Sequence, residues 1–240
     1  MGGATISTPA IRVLGASALT AVGTTLPSII PSAVSGTLRY SREGLVLWDV
    51  VRWVAPFGVA ASVGGALLSR VIPGEGHWLM LVTALLLGWT SWRMARTPAT
   101  VPEAVEGEEP LVVPPPHRAV LPAIGLVSGA MSGLLGVGGG VLMVPAFTQL
   151  ADIPLKTAIA TSLACVGIFA IPGTITHAAL GGIDWRFALL LGIGVIPGAR
   201  IGAAAVMRTS DRRLRIAVAS FLGLVAVLYA AGELADLLSS

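Results

Sequence analysis

Ionised residues come in bursts along this chain, separated by long apolar runs. There are 26 residues without an ionised group between Arg12 and Arg39, 33 between Arg118 and Asp152, and 27 between Lys156 and Asp184. Three further uncharged stretches, 53–69, 76–92 and 216–232, hold 17 residues each. A helix needs about 20 apolar residues to cross the hydrocarbon, somewhat fewer when its end residues reach to the interface. The runs are continuous, where the strands of an outer-membrane barrel would alternate. The pattern therefore predicts an all-α polytopic membrane protein.

A constant offset organises the runs. Shifted by 137 positions, Ala21-Val22-Gly23-Thr24-Thr25-Leu26 falls on Ala158-Ile159-Ala160-Thr161-Ser162-Leu163. Ser35-Gly36-Thr37 falls on Pro172-Gly173-Thr174, Trp48 on Trp185 and Gly65-Ala66 on Gly202-Ala203. With one residue of slip, Gly3 to Pro9 matches Gly140 to Pro145. Chance matches in apolar sequence scatter over many offsets, so two homologous copies are expected. The second copy predicts helices at 119–136, 140–151, 156–178, 185–207 and 212–236. The first predicts 4–14, 18–38, 45–70 and 77–95, with no counterpart of 119–136. Met1-Gly2-Gly3-Ala4 aligns inside Val137-Gly138-Gly139-Gly140. The expectation is a mis-assigned start, with the first helix of the first copy missing. The organisation expected is a transmembrane repeat at 1–96, a linker at 97–118 and a second transmembrane repeat at 119–240. The linker carries four glutamates and six prolines between Thr97 and His117 and cannot bury apolar area.

Charge then changes the picture. Only 11% of residues are charged, well below the roughly one quarter of a soluble domain. Basic residues fall mostly between spans, so the net charge of +3 reports orientation, and no nucleic-acid partner is expected. With parallel copies, Lys and Arg would divide seven against seven across the membrane, leaving Arg200 embedded. With inverted copies they divide eleven against three, the three being Arg12, Arg70 and Arg186. The positive-inside tendency prefers inversion, with 119–151 entering and leaving on one side, a cytoplasmic linker and an outside C-terminus. Inverted repeats place a substrate site near the midplane between the copies. The single Cys165 excludes an intrachain disulfide and is read as a packing residue, and no N-terminal signal peptide is visible.

The densest chemistry is Ser128-Gly129-Ala130-Met131-Ser132-Gly133-Leu134-Leu135-Gly136-Val137-Gly138-Gly139-Gly140. Glycine costs a helix about 1 kcal/mol relative to Ala, so a break between two half-helices is expected here. In a membrane, freed backbone groups survive only where they line a cavity or protein interface. A helix opening at Gly140 aims N–H groups and a positive dipole end at that space, which suits an anion. Gly125, Gly129 and Gly133, and again Gly194, Gly198 and Gly202, are spaced by four, as close helix packing requires. Gly3, Gly138, Gly139 and Gly140, with the duplicated hydroxyls Thr24, Thr25, Thr161 and Ser162, form the candidate substrate site. Any one hydroxyl in a span can equally bond the preceding turn's carbonyl. His177 lies near the end of its span, so it either titrates during transport or sits at the interface. Arg200 is the cation well inside a run, a candidate counter-ion or a snorkelling side chain.

The run Ser132-Gly133-Leu134-Leu135-Gly136-Val137-Gly138-Gly139-Gly140 with Pro145, followed by Ala158-Ile159-Ala160-Thr161-Ser162-Leu163, resembles the sulfite exporter TauE/SafE-like membrane permeases. Pro197-Gly198-Ala199-Arg200-Ile201-Gly202 looks like that family's small-residue segment. The resemblance implies a secondary transporter in the plasma (inner) membrane, moving a small sulfur-containing anion such as sulfite, thiosulfate or a sulfonate. A coupling proton or cation, membrane lipid and the anionic substrate are its implied partners, with no metal and no cofactor. Two other readings compete. A non-transporting membrane partner subunit fits a missing helix. An intramembrane serine hydrolase would use Ser128 or Ser132 as nucleophile and His177 as base, although the first copy carries Tyr40 at the position of His177.

Overall fold

The computed structural model describes residues 7–8, 11, 18–69, 71, 84–85, 88–92, 96, 119–136 and 138–239. Gly3 and the linker lie outside the described residues. The chain is all helical: α1 (Ala18–Arg42), α2 (Trp48–Leu68), α3 (Leu121–Leu135), α4 (Gly140–Leu150), α5 (Leu155–Ala179), α6 (Trp185–Arg208) and α7 (Asp211–Ser239). Ser7, Thr8, Ile11, 84–85 and 88–92 are helical too. Among the described residues, three helices, α2, α5 and α6, are long and apolar enough to cross a membrane. The uncharged runs thus anticipate the helices closely, because in an apolar solvent a chain must satisfy its own backbone groups.

Prolines sit inside α1, α2, α4, α5 and α6 without ending them. Helix ends fall where local chemistry caps them. Asp184 accepts from the amides of Arg186 and Phe187 at the start of α6, and Gly136, at φ +66°, closes α3. Trp48, Trp53, Trp89, Trp92 and Trp185 are exposed, as interface anchors should be.

Two close helix crossings stand out in the core. In the first, α1 crosses α5 antiparallel. A Cβ on Gly36 would run into Leu163, one on Gly167 would lie 2.7 Å from Ala33, and one on Gly173 would lie 3.4 Å from Leu26. These contacts are reciprocal under the offset: Gly36 meets Leu163, and its counterpart Gly173 meets the counterpart of Leu163, which is Leu26. Segment 88–92 meets α7 in the same sense, with Gly88 beside Ala226 and the Ser91 hydroxyl donating to the Ala219 carbonyl at 2.7 Å. The Gly36 and Gly173 contacts are thus related by the 137-residue offset.

In the second pair α2 and α3 run parallel and nearly touch. A Cβ on Gly125 would lie 2.5 Å from the Val54 carbonyl oxygen, one on Gly129 2.6 Å from Gly58 Cα, and one on Gly133 2.8 Å from Ala66 N. This ladder is a packing device, as its spacing suggests. The ladder on α6 is not: a Cβ on Gly194, Gly198 or Gly202 would meet nothing within 4 Å. The expectation of close packing there is corrected among the described residues. Accordingly α5 is the most enclosed span, 67% of its apolar window being buried, and α6 the least, at 6%.

Candidate functional site

The glycine break between α3 and α4 has the backbone that its composition demands. Gly136, Gly138 and Gly139 lie at φ +66°, +83° and +65°, the left-handed region that other residues enter at a cost. Gly136 donates its N–H to the Ser132 carbonyl (3.0 Å), and Gly140 donates to the Gly138 carbonyl (2.7 Å). The chain has then turned back far enough for Gly139 to press on the Ser128 carbonyl, nearly two turns earlier in α3. Gly139 is the N-cap of α4, with Leu142 and Met143 donating to its carbonyl. A Cβ on Gly138 would lie 3.0 Å from Val166 Cγ1 and 3.1 Å from Ile29 Cδ1. Ile29 and Val166 are 137 apart, so the break reaches the crossing of α1 with α5.

Four fully buried hydroxyls surround this turn: Thr8, Thr25, Ser128 and Ser132. Thr25 Oγ1 lies 2.8 Å from the Val22 carbonyl and 3.2 Å from that of Gly136, and Thr8 Oγ1 donates to it at 3.4 Å. Ser128 and Ser132, one turn apart on α3, have hydroxyls with no hydrogen-bond partner among the described residues. A buried hydroxyl left unpaired costs about 1–3 kcal/mol, so two of them beside a helix start call for an explanation. Sequence reasoning had cast these two serines only as nucleophiles. The signal that would have found them is their four-residue spacing next to the glycines.

The other duplicated hydroxyls hold the two halves together. Thr24 Oγ1 accepts from the Asp184 amide at 2.9 Å, and Thr161 Oγ1 accepts from the Leu47 amide at 3.1 Å. Thr161 is the counterpart of Thr24 and Asp184 that of Leu47, so each half caps the entry of a helix in the other. Ser162 Oγ donates to the Ile159 carbonyl (3.0 Å), repeating Thr25 on Val22. Of the predicted residues, the structure thus brings Gly138, Gly139, Gly140 and Thr25 together at the break, while Thr24 and Thr161 bond to loop amides.

His177, in the last turn of α5, is buried against its protein neighbours. Its Nε2 stands 3.0 Å from the Gly133 carbonyl, and because a carbonyl only accepts, that nitrogen carries the proton. Neither unpartnered serine hydroxyl is bonded to it. Arg200 is exposed, and its Nε donates to Ser35 Oγ of α1 at 3.3 Å. Cys165 is fully buried and free. On the far side of Gly140 lies a groove of about 480 Å³, lined by side chains of α1, α4, α5, α6 and α7.

Comparison with known proteins gives one family. Its model, described as sulfite exporter TauE/SafE, matches residues 1–229. A probable membrane transporter protein of Xylella fastidiosa is 29% identical over 217 residues, covering 87% of this chain and 78% of the relative. The probable membrane transporter protein YjnA of Bacillus subtilis is 24% identical, covering 92% and 89%. The probable membrane transporter protein MamO of Magnetospirillum gryphiswaldense is 28% identical over 75% of this chain but only 33% of its own length. No solved structure matches.

Proposed function

The chain belongs to the sulfite exporter TauE/SafE family of membrane transporters, and we propose that its cargo is a small anion, a sulfur oxyanion or short organosulfonate, bound at the break between α3 and α4. The observation that carries this reading is the pair of buried, unpartnered hydroxyls of Ser128 and Ser132 beside the glycine turn that opens α4. A tetrahedral or pyramidal oxyanion needs several donors converging on a small volume. Two hydroxyls and the positive end of an 11-residue helix supply them.

Each group has a task in this proposal. Ser128 and Ser132 donate to the anion's oxygens. The left-handed glycines let the backbone approach without a Cβ in the way. Thr25, with Thr8 behind it, fixes the Gly136 carbonyl and so the shape of the turn. His177 grips the end of α3 through Gly133, and Arg200 adds positive potential from α6. Donors without a full buried charge bind an anion loosely enough to release it, as transport requires. A multi-pass arrangement in the inner membrane, driven by a proton or cation gradient, completes the reading. Nothing in the geometry favours the hydrolase alternative, since neither serine is hydrogen-bonded to His177.

The test is uptake of sulfite, thiosulfate and a short alkylsulfonate into proteoliposomes, with and without an imposed pH gradient. Saturable, gradient-dependent flux of at least one anion is expected. Ser128→Ala with Ser132→Ala should raise KM for it without lowering expression or the thermal midpoint, since the two hydroxyls removed have no partner among the described residues. Unaltered kinetics in that double variant would remove the serines from the site, and no flux of any anion would remove the substrate class.

A further inference from the structure

The groove along α6 is lined by Val195, Ala199, Gly202 and Ala203, and across from them by Leu163 and Tyr40. It is mostly apolar, and no described helix fills it. Its lining is meaningful under the 137-residue offset. In the first half, the face of α2 that receives α3 includes Gly58, Ser62, Gly65 and Ala66, each touching a position that α3 glycines or Ala130 occupy. Their counterparts in α6 are Val195, Ala199, Gly202 and Ala203, the four lining residues just named.

The equivalence extends beyond one helix face. Gly136, at the end of α3, presses on Val22; the counterpart of Val22 is Ile159, which lines the groove. The end of α3 is held by His177 through the Gly133 carbonyl; the counterpart of His177 is Tyr40, a hydrogen-bonding side chain facing the same groove. Around the groove, then, stand the second set of surroundings that α3 has in the first. The burial figures agree: 39% of the apolar window of α2 is buried, against 6% for α6. Ser7, Thr8 and Ile11 are buried helical residues. With the one-residue slip they correspond to Met143, Val144 and Phe147 of α4, all buried as well.

We propose that this groove seats a membrane helix of the α3 kind, running parallel to α6. It presents small residues at every fourth position to Val195, Ala199 and Gly202, and leads into the helix of Ser7, Thr8 and Ile11 as α3 leads into α4. Among the described residues, the glycines of α6 meet nothing within 4 Å of an added Cβ. Against a second small-residue face they permit the close approach that drives helix association in lipid. Tyr40 hydroxyl then takes the role of His177 Nε2 and donates to a carbonyl near that helix's end. A small-ligand cavity would need no such residue-by-residue correspondence with an occupied helix seat. The inference rests on the reciprocal helix contacts and is independent of the anion reading.

The experiment uses the full chain, with Cys165→Ala to remove the native thiol and a copy of residues 119–136 fused ahead of residue 1 as the probe helix. Ala199→Cys is combined in turn with cysteine at the probe's copies of Ala130, Met131 and Gly133, and membranes are oxidised. Cross-linking severalfold stronger for the Gly133 copy, whose original meets Ser62, than for the Met131 copy is expected, with the Ala130 copy, whose original meets Gly65, between them. Cysteine at Ile193, exposed on the opposite side of α6, should give background with all three. No product at Ala199, or equal product at Ile193, would overturn the proposal and leave the groove to lipid. A measurement without cysteines checks the same point. The added helix should raise the thermal midpoint in detergent, and Gly202→Leu should erase that gain while barely moving the midpoint of the unextended chain. A gain that survives Gly202→Leu would place the helix elsewhere. Tyr40→Phe should remove part of the gain. Failure of these cross-links would leave the transport assay untouched, and absence of flux would leave the cross-links untouched.

Discussion

Gly129 and Gly198 offer a comparison in which one substitution has opposite signs. Both glycines lie mid-helix in four-residue ladders, on α3 and α6. A methyl at position 129 would lie 2.6 Å from the Cα and 2.7 Å from the carbonyl carbon of Gly58, both backbone atoms that cannot rotate away. The Gly58 carbonyl oxygen lies closer still, and ordinary contact begins near 3.4 Å, so the helices must part by more than 0.8 Å at that point. The Gly125 and Gly133 contacts belong to the same helix pair and open with it. A gap of that size forfeits a quarter to a half of each dispersion contact, and overpacking of this kind costs about 1–3 kcal/mol. Alanine regains up to about 1 kcal/mol of helix propensity. Gly129→Ala should therefore destabilise by about 1–2 kcal/mol, a fall of about 2–8 °C in thermal midpoint for a chain of this size. At Gly198 nothing among the described residues lies within 4 Å. Only the propensity gain applies, and Gly198→Ala should raise the midpoint by about 1–3 °C. The assay is thermal unfolding in a mild detergent, followed by size-exclusion chromatography or tryptophan fluorescence. Equal losses at both positions would refute the reasoning, and so would no loss at Gly129.

Three further predictions concern the break and the caps. Thr24→Val leaves the Asp184 amide without its acceptor, and Thr161→Val does the same to Leu47. Each should cost about 1–3 kcal/mol and speed amide hydrogen exchange in the opposite half, at 182–185 and 45–48 respectively; protection loss in the mutated half alone would contradict the reciprocal caps. Gly139→Val adds left-handed strain of roughly 1–2 kcal/mol to a collision with the Ser128 carbonyl. It should lower expression together with transport, whereas Gly44→Ala, left-handed but with open space around it, should be tolerated. His177→Phe removes the donor to Gly133 and should lower the thermal midpoint, and His177→Gln should restore part of it; equal losses in both would show that the hydrogen bond is not what His177 contributes.

The helices were readable because their signal is local. An uncharged run predicts 156–178, the structure gives Leu155–Ala179, and nothing outside the run is needed. The glycine break was readable for the same reason, since glycine density alone forbids a continuous helix. The partners of side chains were not readable. Gly125, Gly129 and Gly133 have the same spacing as Gly194, Gly198 and Gly202, yet only the first set meets another helix among the described residues. Spacing describes one face, and packing needs two. Thr24 and Thr161 stand out by their duplication, and each bonds an amide 160 or 114 residues away, a distance no local pattern encodes. Ser128 and Ser132 show the converse: their four-residue spacing was visible, and what marks them is that their burial leaves both hydroxyls unpaired. Some of the long-range information was nonetheless latent in the offset. Once Thr24 is known to cap the amide of Asp184, a shift of 137 on one residue and minus 137 on the other predicts that Thr161 caps Leu47, and it does. The same operation takes the Gly36 contact with Leu163 to that of Gly173 with Leu26. A duplicated sequence therefore carries half of its tertiary contacts in coded form, and one observed contact supplies the key to its twin. Where that operation is applied to α3 on α2, it returns an open groove on α6 instead of a contact. What the offset carries across there is the receiving face alone, Gly58, Ser62, Gly65 and Ala66 onto Val195, Ala199, Gly202 and Ala203.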